Sequence, residues 1–209
     1  MILLFQVNHL NWSHRIVKSG RKNSKIWFGS LFTFTLLSLP TLKVLPVLYN
    51  IFIRIYVIAI QIAALWNSKA TQWVKGRKDL FEQLQQKISK EDSIIWMHCS
   101  SAGEFEQGKP VLEQLKEYFP ACKILVTFFS PSGFAAGEKY PFADYISYLP
   151  ADTKTNARRL LEIANPKLAI FVKYEYWYYH LKTIRERNIP LLMISSIFRK
   201  KQIFFKWYG

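Results

Sequence analysis

Three short stretches concentrate the residue types that can do chemistry: Ser100-Ser101-Ala102-Gly103-Glu104, Ser130-Pro131-Ser132-Gly133 and Lys173-Tyr174-Glu175-Tyr176-Trp177. Glu104 and Glu175 supply carboxylates, and a carboxylate facing a cleft can take the proton of an attacking hydroxyl. Ser101, Gly103, Ser130, Ser132 and Gly133 are small, so backbone N–H groups at a helix start can approach an anionic group. Each stretch also has a plainer reading. Glu104 can be a first-turn acid that complements the helix dipole, Ser130 to Gly133 an ordinary helix cap, and Glu175 a loop anchor to basic neighbours. The aromatic run Tyr176, Trp177, Tyr178 and Tyr179 reads as packing ahead of a sugar platform. Lys139, Arg158 and Arg159 fit solvated helix faces as well as phosphate contacts. Cys99 and Cys122 stand 23 positions apart without a CxxC, and His9, His14, His98 and His180 lack metal-ligand spacing. We expect buried thiols, no metal and no cofactor.

Something must hold those stretches at one place. Apolar runs at 94–98, 123–129, 145–149, 168–172 and 190–195 read as strands. Between them Val111, Leu112, Leu115 and Phe119, then Ala157, Leu160, Leu161 and Ala164, then Trp177, Leu181 and Ile184 recur at helical spacing. Asp152 or Thr153 is positioned to cap the second of these helices, and Asn165-Pro166 to stop it. Alternating β and α elements with near-continuous apolar strands predict a parallel sheet covered on both faces, an α/β Rossmann-like domain over residues 91–209. In such a sheet, ligands bind outside the carboxyl ends of the strands, which is where all three stretches fall.

The N-terminal half is organised differently. Residues 45–66, LPVLYNIFIRIYVIAIQIAALW, predict a helix about 33 Å long. Asn50, Arg54, Gln61 and, just beyond the helix, Ser68 share one helical stripe, so an interfacial helix competes with a spanning one as the membrane anchor. Lys69, Lys75, Arg77 and Lys78 follow, in a basic juxtamembrane segment at 67–90 that includes a polar helix near 79–90. Residues 1–44 hold six basic residues, no acidic ones and a second apolar run at 26–42. They are set apart as an N-terminal extension.

The formal net charge of +15 first suggests nucleic acid. Its distribution points elsewhere, since residues 1–90 carry 13 of the 29 Lys and Arg but only Asp79 and Glu82 of the 14 acids. Cations flanking an apolar helix suit anionic lipid head groups. No RNP, zinc-finger or helix-turn-helix pattern accompanies the charge, so nucleic acid is not an expected partner.

The runs HCSSAGEFEQGKPVLEQL, ILVTFFSPSG, YLPADTKTNARRLLEIANPKLAIFVKYEYW and IPLLMISSIF occur in that order and resemble the N-terminal domain of the 3-deoxy-D-manno-octulosonic acid (Kdo) transferases. The resemblance implies a GT-B glycosyltransferase, in which two Rossmann-like domains face each other. The N-terminal one would take a lipid A precursor as acceptor, and the C-terminal one, absent from these 209 residues, the CMP-Kdo donor. It also implies inverting transfer in lipopolysaccharide assembly at the cytoplasmic face of the inner membrane, with membrane lipids as a further partner. By this likeness Glu104 matches the catalytic carboxylate, Ser101 and Gly103 belong to its motif, and Glu175 matches a second acidic position. Lys173 departs from the pattern, standing where many members have an acid. On this reading the 209 residues alone are inactive, and a non-catalytic, membrane-attached acceptor-binding module is the alternative.

Overall fold

The computed structural model describes residues 2–8, 11–17, 41–173 and 175–195, with side chains from Pro46 onward. The apolar run at 26–42, except its last two residues, and Tyr174 lie outside the described residues.

Five parallel strands form the centre: β3 (Ile94–Cys99), β4 (Lys123–Phe128), β5 (Tyr145–Tyr148), β6 (Leu168–Val172) and β7 (Leu191–Ile194). All five match the apolar runs read from the sequence to within two residues at either end. Two strands that the sequence reading did not anticipate, β1 (Ile2–Asn8) and β2 (Asn11–Val17), add antiparallel at the β7 edge. The order is β2-β1-β7-β6-β3-β4-β5. The chain thus starts the parallel part at its middle strand, moves outward through β4 and β5, then returns to build β6 and β7 on the other side. Between β3 and β6 the direction of winding reverses, and that reversal opens a crevice at the carboxyl edge.

Strand residues alternate between two cores, as period-two geometry requires. Ile94, Trp96, Leu125 and Phe171 face α3 (Leu80–Lys87), α6 (Lys154–Ala164) and α7 (Tyr178–Glu186) through Leu84, Leu160, Leu161 and Ile184. Ile95, Met97, Val126, Phe128 and Val172 face α4 (Ala102–Tyr118), with α5 (Pro131–Gly137) beside it, through Phe105 and Leu112. Each fully buried large side chain of this kind contributes roughly 1.5–3 kcal/mol. A β-carbon on Gly108 would stand 2.9 Å from the Met97 sulfur, so the glycine lets α4 lie close over the central strand.

Residues 67–90 fold onto the domain as α2 (Ser68–Lys75) and α3, which bury Trp73, Leu80 and Leu84. Arg77 turns inward, away from the basic cluster to which its position assigned it. Its guanidinium donates to the carbonyls of Trp73, Leu149 and Phe129 and lies 3.8 Å over the Trp73 ring. Burial pushes its pKa down to about 9. Lys69, Lys75 and Lys78 remain exposed.

α1 (Thr41–Ala63) carries one face into the domain. Tyr49 hydrogen-bonds Asp152, Ile53 is 5% exposed, and Tyr56 stacks on Phe129 and meets Trp73 edge-on. Val47, Leu48, Ile51, Phe52, Ile55, Ile58 and Ile62 are exposed. The polar stripe runs Asn50, Arg54 and Gln61 only, because a turn ends α1 and Ser68 begins α2.

Candidate active site

Ser101 is the N-cap of α4, with extended backbone angles of −135° and 167°. Glu104, three residues on, reaches back so that its carboxylate accepts the Ser101 backbone N–H at 3.1 Å. The plainer reading of Glu104 as a first-turn acid is therefore correct as far as it goes, and the side chain completes a capping box as well. The side chain is also half-buried at the carboxyl edge of the sheet. Burial raises its pKa, the nearby charge of Glu175 raises it further, and the backbone N–H groups of Ser100 and Ser101 oppose both. A carboxylate made a better proton acceptor in this way suits a general base. Gly103 beside it is exposed, and a β-carbon there would meet nothing within 4 Å. Neither packing nor a turn demands glycine at that position. Its missing side chain leaves open space over the first turn of α4.

The β6–α7 loop comes to the same place across the winding reversal. Lys173 holds a left-handed conformation, φ 64°, immediately after β6. This strained geometry in a non-glycine residue costs of order 1–3 kcal/mol and concentrates at functional sites. Two residues later, the Glu175 carboxylate lies 3.8 Å from His98 Nε2 with its side chain 15% exposed. Burial alone would raise its pKa, but hydrogen bonds from the polar groups around it, Ser100 and Trp177 among them, outweigh burial and hold it below the usual range. The two carboxylates are thus pushed in opposite directions, the pattern that separates a proton acceptor from a permanently charged neighbour.

The β4–α5 turn is tied to the first by a hydrogen bond from Ser130 N–H to the Ser100 carbonyl at 2.9 Å. Its own polar groups serve the turn: the Ser130 hydroxyl caps α5 by accepting Gly133 N–H at 3.1 Å and lies 3.2 Å from the Ser132 hydroxyl. Glu104, Ser101, Gly103 and Glu175 therefore gather at the crevice, with Ser130, Ser132 and Gly133 on its flank.

Several residues of this neighbourhood have roles that the sequence reading did not assign to them. His98, fully buried at the end of β3, contacts Ser100 and Trp177. A histidine closing an otherwise apolar strand was the available signal. Trp177, read as packing, does pack on Phe129 at 4.7 Å, and it also donates its indole N–H. Asp152 does not cap α6, a task that Thr153 performs. Its buried carboxylate instead accepts the N–H groups of Tyr179 and His180 at the start of α7. Cys99 is buried and Cys122 half-buried, both as free thiols. Two shallow hollows of about 540 and 530 Å³ lie along α6 and α4, lined by residues outside this crevice.

The family model for 3-deoxy-D-manno-octulosonic-acid transferase (kdotransferase) matches residues 75–207. The chain belongs to that family. A Haemophilus influenzae 3-deoxy-D-manno-octulosonic acid transferase is 31% identical over 104 residues, covering 49% of this chain and 24% of the relative. The Aquifex aeolicus protein of the same name is 34% identical over 103 residues, 46% of this chain and 28% of its own length. A bifunctional glycosyltransferase/methyltransferase of Fusobacterium nucleatum is 27% identical over 112 residues, 51% of this chain and 17% of that protein. The matched part of the chain spans about a quarter or less of these curated relatives. In this Kdo transferase family member, the matched residues contain the whole crevice, from the β3–α4 turn to α7.

Proposed function

We propose that these residues form the acceptor-side domain of an inverting GT-B glycosyltransferase that moves Kdo from CMP-Kdo to a lipid A precursor, with Glu104 as the general base. The observation that carries this reading is the half-buried Glu104 carboxylate, its proton affinity raised, beside the open space over Gly103 at the winding reversal. In the step, a sugar hydroxyl of the acceptor attacks the anomeric carbon of Kdo from the side opposite the nucleotide. The bond from that carbon to the phosphate oxygen breaks, and CMP leaves with the electron pair. The hydroxyl proton passes to Glu104, which later returns it to solvent. Ser101 and Gly103 border the acceptor, and the Ser130–Gly133 turn forms its flank. Glu175 stays charged and keeps the proton affinity of Glu104 high. The donor is assigned to a second domain outside these 209 residues.

The acceptor is a lipid, which gives α1 a part in the reading. Tyr49, Ile53 and Tyr56 pack on the domain, whereas a span of bilayer hydrocarbon takes about 20 apolar residues free of a water-soluble partner. We therefore place α1 in the plane of the membrane interface, its exposed Ile, Leu and Phe side chains in one leaflet of the inner membrane and the domain on the cytoplasmic face. Lys69, Lys75 and Lys78 follow it toward anionic head groups.

The test is transfer of labelled Kdo to a lipid A precursor by the chain completed with a donor-binding domain, beside the 209-residue chain alone. The completed protein is expected to transfer, and the shorter one to bind acceptor without turnover. Turnover of CMP-Kdo by the 209 residues, or none by the completed protein, would overturn the assignment.

A further inference from the structure

We infer that His98 is a positioning residue: as a neutral imidazole with its proton on Nδ1, it accepts the Trp177 indole N–H at Nε2 and ties the loop that carries Glu175 to the central strand, next to the turn that carries Glu104. The inference rests on the base role proposed for Glu104.

The tautomer follows from partners that have no choice of role. His98 Nδ1 lies 3.0 Å from the Thr127 carbonyl oxygen, which can only accept, so Nδ1 carries a proton. Trp177 Nε1 lies 3.1 Å from His98 Nε2, and an indole N–H can only donate, so Nε2 presents its lone pair. A doubly protonated ring would aim an Nε2 proton at the proton already pointing there from Trp177. At 3.8 Å Glu175 is beyond hydrogen-bond distance of Nε2, and with that nitrogen bare the Glu175 charge is held by its hydrogen bonds to Ser100 and Trp177. The charged or titratable groups facing the ring are Glu175 and His180, and burial, the largest influence, favours the neutral form.

The remaining contacts fix the ring itself. His98 is fully buried and stands edge-on to Phe171 at 5.4 Å. Thr127 Oγ1 lies 3.0 Å from Nδ1 and accepts the Trp96 indole N–H at 2.8 Å. On the other side, Trp177 packs on Phe129, which stacks on Tyr56 of α1. The Glu175 loop is therefore held at one point by a hydrogen bond to the sheet and by an aromatic face running back to the membrane-facing helix. A loop that begins with a left-handed lysine needs such a tether to keep its carboxylate at one distance from Glu104.

The experiment is ¹⁵N and ¹³C NMR of the labelled 209-residue chain, reading the His98 ring nitrogens and the Glu104 carboxyl titration. Expected at neutral pH are a protonated Nδ1 and a bare Nε2. Trp177→Phe keeps the ring stack but removes the donor, and the Glu104 midpoint is expected to fall as Glu175 loosens. His98→Gln, which keeps an acceptor near the Nε2 position, should retain the Glu104 midpoint, and His98→Asn should lower it as Trp177→Phe does. A proton on Nε2, or an unchanged Glu104 midpoint in Trp177→Phe, overturns the inference. If His98→Asn fails to fold, Trp177→Phe still decides. These readings involve no transfer, so a failure of the base assignment would be seen separately, as normal turnover in Glu104→Gln.

Discussion

The β3–α4 and β4–α5 turns are built from the same local parts and end with different capacities. Each leaves a buried parallel strand, passes through a serine N-cap and starts a helix with a glycine in its first turn. In the second turn every part is committed: the Ser130 hydroxyl caps Gly133 N–H, and a β-carbon on Gly133 would lie 2.8 Å from Phe128 and 3.2 Å from the Ser101 carbonyl carbon. In the first, the cap is made by Glu104 reaching back to Ser101 N–H, while a β-carbon on Gly103 would meet nothing within 4 Å. Two turns with nearly the same serine and glycine punctuation thus divide into one that holds the fold and one left open at the crevice. The difference lies in what surrounds each glycine.

Glu104→Gln should separate the turns most. Gln keeps size and reach but cannot take the hydroxyl proton, so turnover in the completed enzyme is expected to fall about 10²- to 10⁴-fold, roughly 3–5.5 kcal/mol of barrier. Acceptor affinity should stay within a few-fold. A variant with near-normal turnover and a lowered melting temperature would reduce Glu104 to a first-turn acid worth about 0.3–1 kcal/mol.

The glycines give the next contrast. Gly133→Ala is expected to lose about 1–3 kcal/mol in urea unfolding through overpacking against Phe128. Gly103→Ala should be neutral or gain roughly 0.5–1 kcal/mol while weakening acceptor binding. Equal stability losses at the two positions would erase the distinction between a packed and an open turn. Ser130→Ala should cost about 1 kcal/mol as a lost cap without changing acceptor affinity, measured by denaturation and by titration with acceptor.

The smallest effect is a pH slope. Glu104 holds its proton more tightly in the folded chain than in the unfolded one. Stability is therefore lost as pH rises from the ordinary glutamate value, about 4.3, through the raised folded value, and the loss is constant above it. Glu175, whose pKa is lowered, works the other way: its contribution is complete above the ordinary value and disappears as pH falls through the folded one. Unfolding midpoints of Glu104→Gln relative to the parent should rise with pH across the first window and then level. A flat difference would mean that Glu104 titrates like an exposed acid.

The amino-acid sequence determined what short-range physics controls. Strand runs such as Leu168–Val172, the helical spacing of Ala157, Leu160, Leu161 and Ala164, the stop at Asn165 and the cap at Thr153 all depend on neighbours within a turn or a pleat. The same holds for the Ser101–Glu104 pairing, which spans three residues. Tertiary structure decided what those elements meet. Chain reversal laid β6 beside β3 and brought Glu175 to Glu104 from 71 positions away, with no local pattern announcing the encounter. Packing drew Arg77 out of a basic cluster onto the carbonyls at the ends of β4 and β5, and turned Asp152 from the helix that follows it to the start of α7. It also gave α1 one face against the domain, which a count of apolar residues cannot reveal. Periodicity and capping act over a few residues, whereas burial and charge fields depend on which distant surfaces the sheet order brings together.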